Sequence, residues 1–283
     1  MFYWGRGDRR NVILSAESIW ENLNRWKGFG YPLLEPESKP YNINGPSFPF
    51  VVKVDENIFF MYFVGWGKST EGKIPNTTGL AISKDKGKTW RYYKKNPILK
   101  LDKPWDREGT GSVCVIRRKD EFWMYYTAIS EYFHRPEGVK TGHGDVIPKI
   151  CIALAFSKNG VDWEKYGPIL SPRGFDAEPY EYIVSKPFIL EEEWGYRMWF
   201  NSFGQYYRIQ EAYSFDGIRF EFTTKKLDDY FGTGKSGDFD DEQRSYACVV
   251  KKNFYHMWYT GNDFGTAGIG YARGTIKESK SAI

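Results

Sequence analysis

Met61-Tyr62-Phe63, Met124-Tyr125-Tyr126, Met198-Trp199-Phe200 and Met257-Trp258-Tyr259 are one short pattern written four times, and Met1-Phe2-Tyr3-Trp4 is a fifth copy. The chain has five methionines, so every one of them opens an aromatic run. Successive copies stand between 59 and 74 residues apart, the length of one four-stranded blade with its loops. A period of this size marks a repeat architecture.

Around the last four copies the same pieces recur in the same order. An apolar strand comes first (Phe50–Val52, Val113–Ile116, Phe188–Leu190, Ala247–Val250), then a short charged turn, then the Met strand. A strand of small residues follows, such as Gly79-Leu80-Ala81-Ile82-Ser83 or Gly268-Ile269-Gly270-Tyr271-Ala272. Pro97-Ile98-Leu99 and Pro168-Ile169-Leu170 read as fourth strands, and Pro32-Leu33-Leu34 takes that place in the first unit. The reading is all-β, one domain over residues 1–283: a five-bladed β-propeller of four-stranded blades, with strands a to d meandering outward from the centre. The first blade opens on strand b and lacks an N-terminal inner strand. The tail Gly274–Ile283 is the expected donor that closes the ring, because an open ring leaves an unpaired central edge.

Composition agrees with strands joined by tight turns: 21 Tyr, 21 Phe and 11 Trp stand beside 29 Gly in 283 residues. A net charge of +4 spread along the chain lacks the concentrated basic face of a nucleic-acid binder. Cys114, Cys151 and Cys248 form no C-x-x-C pair and read as small buried apolar residues. Met1–Arg10 holds no signal-peptide core, and no run of about 18 apolar residues occurs to span a membrane. A cytoplasmic protein with no nucleic-acid or membrane partner and no cofactor is expected.

Ser83-Lys84-Asp85-Lys86-Gly87-Lys88-Thr89-Trp90 is similar to the Asp box of sialidases, with weaker copies at Ser157–Trp163 and Ser214–Phe220. It reads as a structural turn in which Asp bonds local N–H groups and Gly takes positive φ. A six-bladed sialidase at about 60 residues per blade would exceed this length.

In a meander, the b–c loops and the d–a connections share one end, and residues just before strand a come closest to the axis. That zone holds Asp106, Arg107 and Glu108 in one unit, Asp176, Glu178, Glu181 and Lys186 in the next, and Asp240, Asp241, Glu242 and Arg244 in the last. The second unit offers Asn42 and Asn44 instead. Glycoside hydrolysis needs two carboxyl groups, one protonated and one ionised, and crowding acids near an axis separates their pKa values. Trp66, Trp105, Phe203, Tyr206 and Tyr207 in the same loops suit stacking on sugar rings. The alternative role for Asp106, Asp176 and Asp240 is as turn residues and partners of nearby Arg and Lys. Arg6-Gly7-Asp8 lies in the first b–c loop, where Arg6 or Asp8 can face a ligand. His134 and His143 with Asp145 lack a third rigid ligand for a metal, so His143 reads as a substrate contact on a lid loop. Glu211 reads as structural, paired with Arg208.

The chain resembles the five-bladed propeller glycosidases of the arabinanase, levansucrase and invertase superfamily, glycoside hydrolase families 43, 32 and 68. Glu181-Tyr182-Ile183-Val184-Ser185-Lys186-Pro187 resembles their E-x-x-x-[SA]-[RK]-P lead into an inner strand. Phe239-Asp240-Asp241-Glu242, with Tyr259-Thr260-Gly261-Asn262-Asp263-Phe264-Gly265, resembles their [WF]-D-x-E approach and closing blade. The resemblance implies a carbohydrate substrate and ranks Glu181, Asp240 and Glu242 above Asp106 and Glu108 as catalytic acids. Trp66, Arg107, His143, Asp176, Lys186, Tyr207, Arg208, Arg244 and Asn262 are the candidate substrate contacts. Three functions fit: a glycoside hydrolase, a phosphorylase or transferase whose cations hold phosphate or a carboxylated sugar, and a non-catalytic carbohydrate-binding propeller.

Overall fold

A computed structural model describes residues 1–7, 10–19, 22–69, 73, 75–177, 180–224 and 230–275. The chain is all-β. Among the described residues eighteen strands form five antiparallel meanders in chain order. The first holds β1 (Phe2–Gly7), β2 (Arg10–Ile19) and β3 (Asn22–Gly28), and the second β4 (Pro46–Lys53), β5 (Phe59–Trp66), β6 (Asn76–Ser83) and β7 (Arg91–Tyr92). The third holds β8 (Gly109–Arg118), β9 (Glu121–His134), β10 (Val146–Ser157) and β11 (Glu164–Leu170). The fourth holds β12 (Ile183–Glu192), β13 (Gly195–Phe203), β14 (Tyr207–Ser214) and β15 (Glu221–Phe222), and the fifth β16 (Ser245–Lys251), β17 (Tyr255–Thr260) and β18 (Ile269–Gly274). A single parallel pair, Ile150 with Ile183, joins the third and fourth into one sheet. Among the described residues no sheet closes on itself.

The core lies between successive meanders, and the period-2 alternation of a strand explains the Met-aromatic pattern. Met61 and Phe63 face the first unit with Ile13, Leu34 and Phe2, whereas Phe60 and Tyr62 face the third with Val113, Met124 and Tyr126. Met198 and Phe200 likewise face the third unit with Tyr125 and Leu154, while Trp199 faces the fifth with Val249 and Met257. Each Met therefore packs backward and the next residue forward.

The forward residue docks on the following unit. Phe2 meets Trp90 at 5.9 Å between ring centroids, the Tyr62 hydroxyl donates to Gly160 O at 2.8 Å and the Tyr125 hydroxyl to Gly217 O at 2.9 Å. Trp199 packs on Tyr255 at 5.8 Å. The last copy returns to the start: Trp258 Nε1 donates to Leu23 O at 2.8 Å, and its ring meets Trp26 at 5.9 Å. The Asp-box turns are thus docking points. Asp85 Oδ1 accepts from Lys88 N and Thr89 N, and Asp216 Oδ1 does so from Ile218 N and Arg219 N. At Gly160 (φ 73°) a Cβ would stand 2.9 Å from the Tyr62 hydroxyl, which reserves the position for glycine.

The first meander begins where strand b stands in the others. Leu33 N donates to Ile13 O at 2.7 Å as Ile98 N donates to Thr78 O at 2.9 Å, which aligns β2 with the third strand β6. β1, β4, β8, β12 and β16 are neighbours in that order, so the edge of β1 stands beside the inner strands. Of the tail Gly274–Ile283, expected to close the ring, Gly274 ends β18 and residues 276–283 lie outside the described residues, as do Asp8 and Glu178. Cys114 is buried, Cys151 is half-buried and Cys248 is exposed, so burial as an apolar residue holds for Cys114 and not for Cys248, which sits near the start of β16. Among the described residues no helix is long and apolar enough to cross a membrane.

Candidate functional site

Four inner strands share one irregularity. β4, β8, β12 and β16 each carry one extra residue near their start, at the register breaks Ser47/Phe50, Gly111/Val113, Ser185/Phe188 and Ser245/Cys248. The bulged residues Phe48, Ser112, Lys186 and Tyr246 have φ of 48°, 23°, 51° and 59°, a region non-glycine residues rarely occupy. Neighbouring side chains hold the bulges in place: Lys186 N donates to Thr127 Oγ1 and Tyr246 N to Asn201 Oδ1, both at 2.9 Å. Strain of this kind persists only where the surroundings over-determine it, and it collects at ligand sites. The bulge re-aims its side chain, and Phe48, Lys186 and Tyr246 all line a cavity of about 550 Å3 between the first, second, fourth and fifth units.

Aromatic rings form a continuous floor at this mouth. Trp4 meets Phe48 at 5.5 Å, Phe48 meets Tyr246 at 5.1 Å and Tyr246 meets Tyr207 at 5.7 Å. The line continues from Tyr207 to Phe203 at 4.3 Å, and from Phe203 to Tyr182 at 5.6 Å and to His143 at 4.7 Å. His143 Nδ1 and the Tyr182 hydroxyl lie 2.9 Å apart, which ties the long β9–β10 loop to the fourth unit. Tyr207 and Tyr246 share a hydroxyl hydrogen bond, and burial pushes Tyr207 up to about 12 and Tyr246 well above its ordinary value, so both stay protonated. Of the residues expected from sequence, Phe203, Tyr207 and His143 belong to this floor, and Lys186 lines the cavity. Phe48 and Tyr246 were missed because a bulge leaves no periodic trace in an otherwise alternating strand, and Trp4 and Tyr182 because each stood inside a motif read for another purpose.

One acid of each of the three approaches sits in a separate buried cluster inside its own unit. Asp106, with no exposed surface, accepts from the Tyr126 hydroxyl at 2.9 Å and pairs with Lys165 at 2.6 Å. Asp240 repeats this with the Tyr259 hydroxyl at 2.8 Å and Arg244 Nε at 2.6 Å; Arg244 also stacks on Phe231. Glu181 accepts from Arg173 N at 2.9 Å and from the Ser202 hydroxyl, with the Arg173 guanidinium at 3.5 Å. Burial holds its carboxyl above the usual carboxylate range. Each acid joins the loop before strand a to strand b and a cation.

A raised folded pKa means that the native state binds more protons than the unfolded chain between 4.5 and that raised value. The stability Glu181 contributes is full below 4.5 and is lost as pH rises through the folded pKa. The difference in urea midpoint between the native sequence and Glu181→Gln is therefore expected to shift in favour of the native sequence as pH falls from neutral toward 4.5. A pH-independent difference would contradict this.

The remaining candidates stand at the rim. Glu108 lies 3.5 Å from Lys73, Arg107 Nε donates to Ser130 O at 2.8 Å, and Asp176 is exposed in the turn after Gly174. Trp66 Nε1 donates to Ser47 Oγ at 2.5 Å. Arg208 Nη1 donates to Glu242 O at 2.6 Å, and Asn262 Oδ1 accepts from Glu242 N and Gln243 N, so these three form one loop cluster that leaves the Glu242 residue exposed. Glu211 is structural, as expected, but its partner is Arg197 at 2.6 Å rather than Arg208; Arg197 lies diagonally across on β13, opposite Tyr213.

No protein-family model matches the chain. It is 28% identical over 248 residues to the uncharacterized protein Rv1502 of Mycobacterium tuberculosis (strain ATCC 25618 / H37Rv), covering 85% of this chain and 75% of the relative. Among solved structures, one titled glycoside hydrolase matches with a TM-score of 0.71 at 20% identity over 97% of this chain and 81% of its own. A β-1,2-mannobiose phosphorylase from Listeria innocua, in complex with β-1,2-mannobiose, matches with a TM-score of 0.62 at 14% identity over 93% and 66%. At these identities the likeness establishes the fold: this chain has the all-β fold of glycoside hydrolase and phosphorylase structures.

Proposed function

We propose that the protein is a single five-bladed propeller, closed between its first and fifth units, that binds a saccharide across the aromatic floor and cleaves a glycosidic bond. The carrying observation is the line Trp4, Phe48 and Tyr246 along the cavity, continued behind Tyr246 by Tyr207, with the hydroxyls of Tyr207 and Tyr246 as fixed polar groups. Flat apolar faces bordered by hydroxyl donors match the C–H faces and oxygen edges of a sugar ring. Closure is supported by Trp258 docking on Leu23 and Trp26.

Hydrolysis is the leading reaction. Asp106, Asp240 and Glu181 are engaged in buried clusters, so of the five ranked acids Glu108 and Glu242, whose carboxyl groups reach solvent, are left as general acid and nucleophile or base; neither lines the cavity, so in this reading the scissile bond lies at the rim beyond the sugar held on the floor. The likeness to families 43, 32 and 68 rests on the two motif segments, which form the Lys186 bulge and the Asp240 cluster.

A glycan-library screen run with and without inorganic phosphate tests this reading. Release of reducing sugar without phosphate supports hydrolysis, strict phosphate dependence assigns phosphorolysis, and binding without release assigns a lectin-like role. Glu242→Gln and Glu108→Gln are expected to lower kcat by at least about 100-fold with folding intact. Unchanged turnover in both would remove them from the mechanism. Tyr246→Ala and Phe48→Ala are each expected to weaken saccharide binding about tenfold by calorimetry.

A further inference from the structure

Among the described residues no carboxylate neutralises the one lysine that lines this cavity. Lys186 stands on the bulge of β12, its backbone held at φ 51° and its N–H fixed by Thr127 Oγ1. The side chain is half-buried and lines the cavity beside Phe48, Phe188, Tyr246, Cys248 and Trp258. Among the described residues it forms no ion pair, and no Asp or Glu lines this cavity. The titratable groups that bear on its ammonium are the thiols of Cys114 on β8 and Cys248 on β16, so it lies among the inner strands. Desolvation there lowers its pKa, as for a cation without a counter-charge.

Elsewhere this protein pairs the buried cations of the same end. Lys165 has Asp106 and Asp102, Arg173 has Glu181, and Arg244 has Asp240. Lys186 differs in facing a cavity large enough for a sugar residue and in being presented by a strained backbone. An unpaired ammonium in an apolar site favours any ligand that brings an anion, and a carboxylate on the ring would form a charge-assisted hydrogen bond while the ring lies on the aromatic floor.

We propose that Lys186 is a specificity-determining residue, the counter-charge for the carboxylate of an acidic sugar, and that the saccharide bound in the cavity carries a hexuronate. This deepens the carbohydrate reading and rests on it.

The test is calorimetric titration of the intact protein with uronate-containing oligosaccharides, their neutral hexose counterparts and inorganic phosphate, each at low and high salt. The expected result is that the acidic oligosaccharides bind about tenfold or more tightly than the neutral ones, with a preference that shrinks in salt. Lys186→Met is expected to erase the preference with binding of neutral sugar retained, and Lys186→Arg to keep it. Circular dichroism confirms that both variants fold. Equal binding of acidic and neutral sugars would overturn the inference and leave the carbohydrate reading standing. Binding of phosphate alone, in competition with the acidic sugar and lost in Lys186→Met, would reassign the cation to inorganic anions and also overturn it. No binding of any saccharide would remove both readings.

Discussion

Replacing Asp106 by Ala is expected to lower the free energy of unfolding by about 3 kcal/mol, read as a lower urea midpoint at unchanged m value. The cost has two sources. The Tyr126 hydroxyl, inside the interface between the second and third units, loses its acceptor, and Lys165, whose side chain is 5% exposed, loses its nearest carboxylate. Removing one partner of a buried pair costs about 3–5 kcal/mol, and the lower end applies because Lys165 keeps Asp102 at 2.9 Å. Asp240→Ala is expected to behave alike, since Arg244 and the Tyr259 hydroxyl are left without an acceptor. Glu242→Ala is expected to stay within about 0.5 kcal/mol, because that residue is exposed. A folded, fully stable but inactive Asp106→Ala protein would instead place that carboxylate in the chemistry.

These contrasts show what the sequence carried and what it hid. The Met-aromatic pattern was legible because a strand alternates faces, and a residue that packs on the preceding unit followed by one that packs on the next must repeat once per unit. The acids were legible as a set and not by orientation. Their partners lie some 20 residues onward on strand b: Tyr126 two places after Met124 for Asp106, and Tyr259 two places after Met257 for Asp240. The fourth unit has Phe200 at that place, and Ser202 two positions further on reaches Glu181, whose side chain is one methylene longer than Asp. In the second unit, where Phe63 stands at the same place, the approach offers Asn42, which donates to Tyr92 instead. The covariation of approach acid and strand-b hydroxyl is present in the letters, and it signals anchoring. The floor was hidden for a different reason. One extra residue per inner strand turns Phe48, Lys186 and Tyr246 toward the cavity, and neither composition nor spacing distinguishes a bulge from an ordinary strand start.

Truncating Trp199 to Ala is expected to cost about 3–5 kcal/mol, the largest loss from any single side chain on the forward-facing line. Its indole has no exposed surface and donates at 2.6 Å to the Tyr230 hydroxyl, which donates in turn to Glu211 at 2.7 Å, so the cavity left behind also breaks a buried polar chain. Trp258→Ala is the matching experiment at the seam between the last and first units. Trp258 is half-buried, and loss of its packing and of the bond to Leu23 O is expected to cost about 2 kcal/mol. In a closed ring that cost is shared by the whole cooperative unit. Hydrogen exchange is then expected to quicken first at the amides of β2 and β3, and saccharide binding to weaken as well, because Trp4 and Phe48 meet across the boundary of the first and second units. Unaltered stability in Trp258→Ala would mean that the fifth unit does not hold the first, and the floor would then depend on the packing of the first unit on the second, through Phe2 on Trp90, Trp4 on Phe48 and Ile13 with Met61.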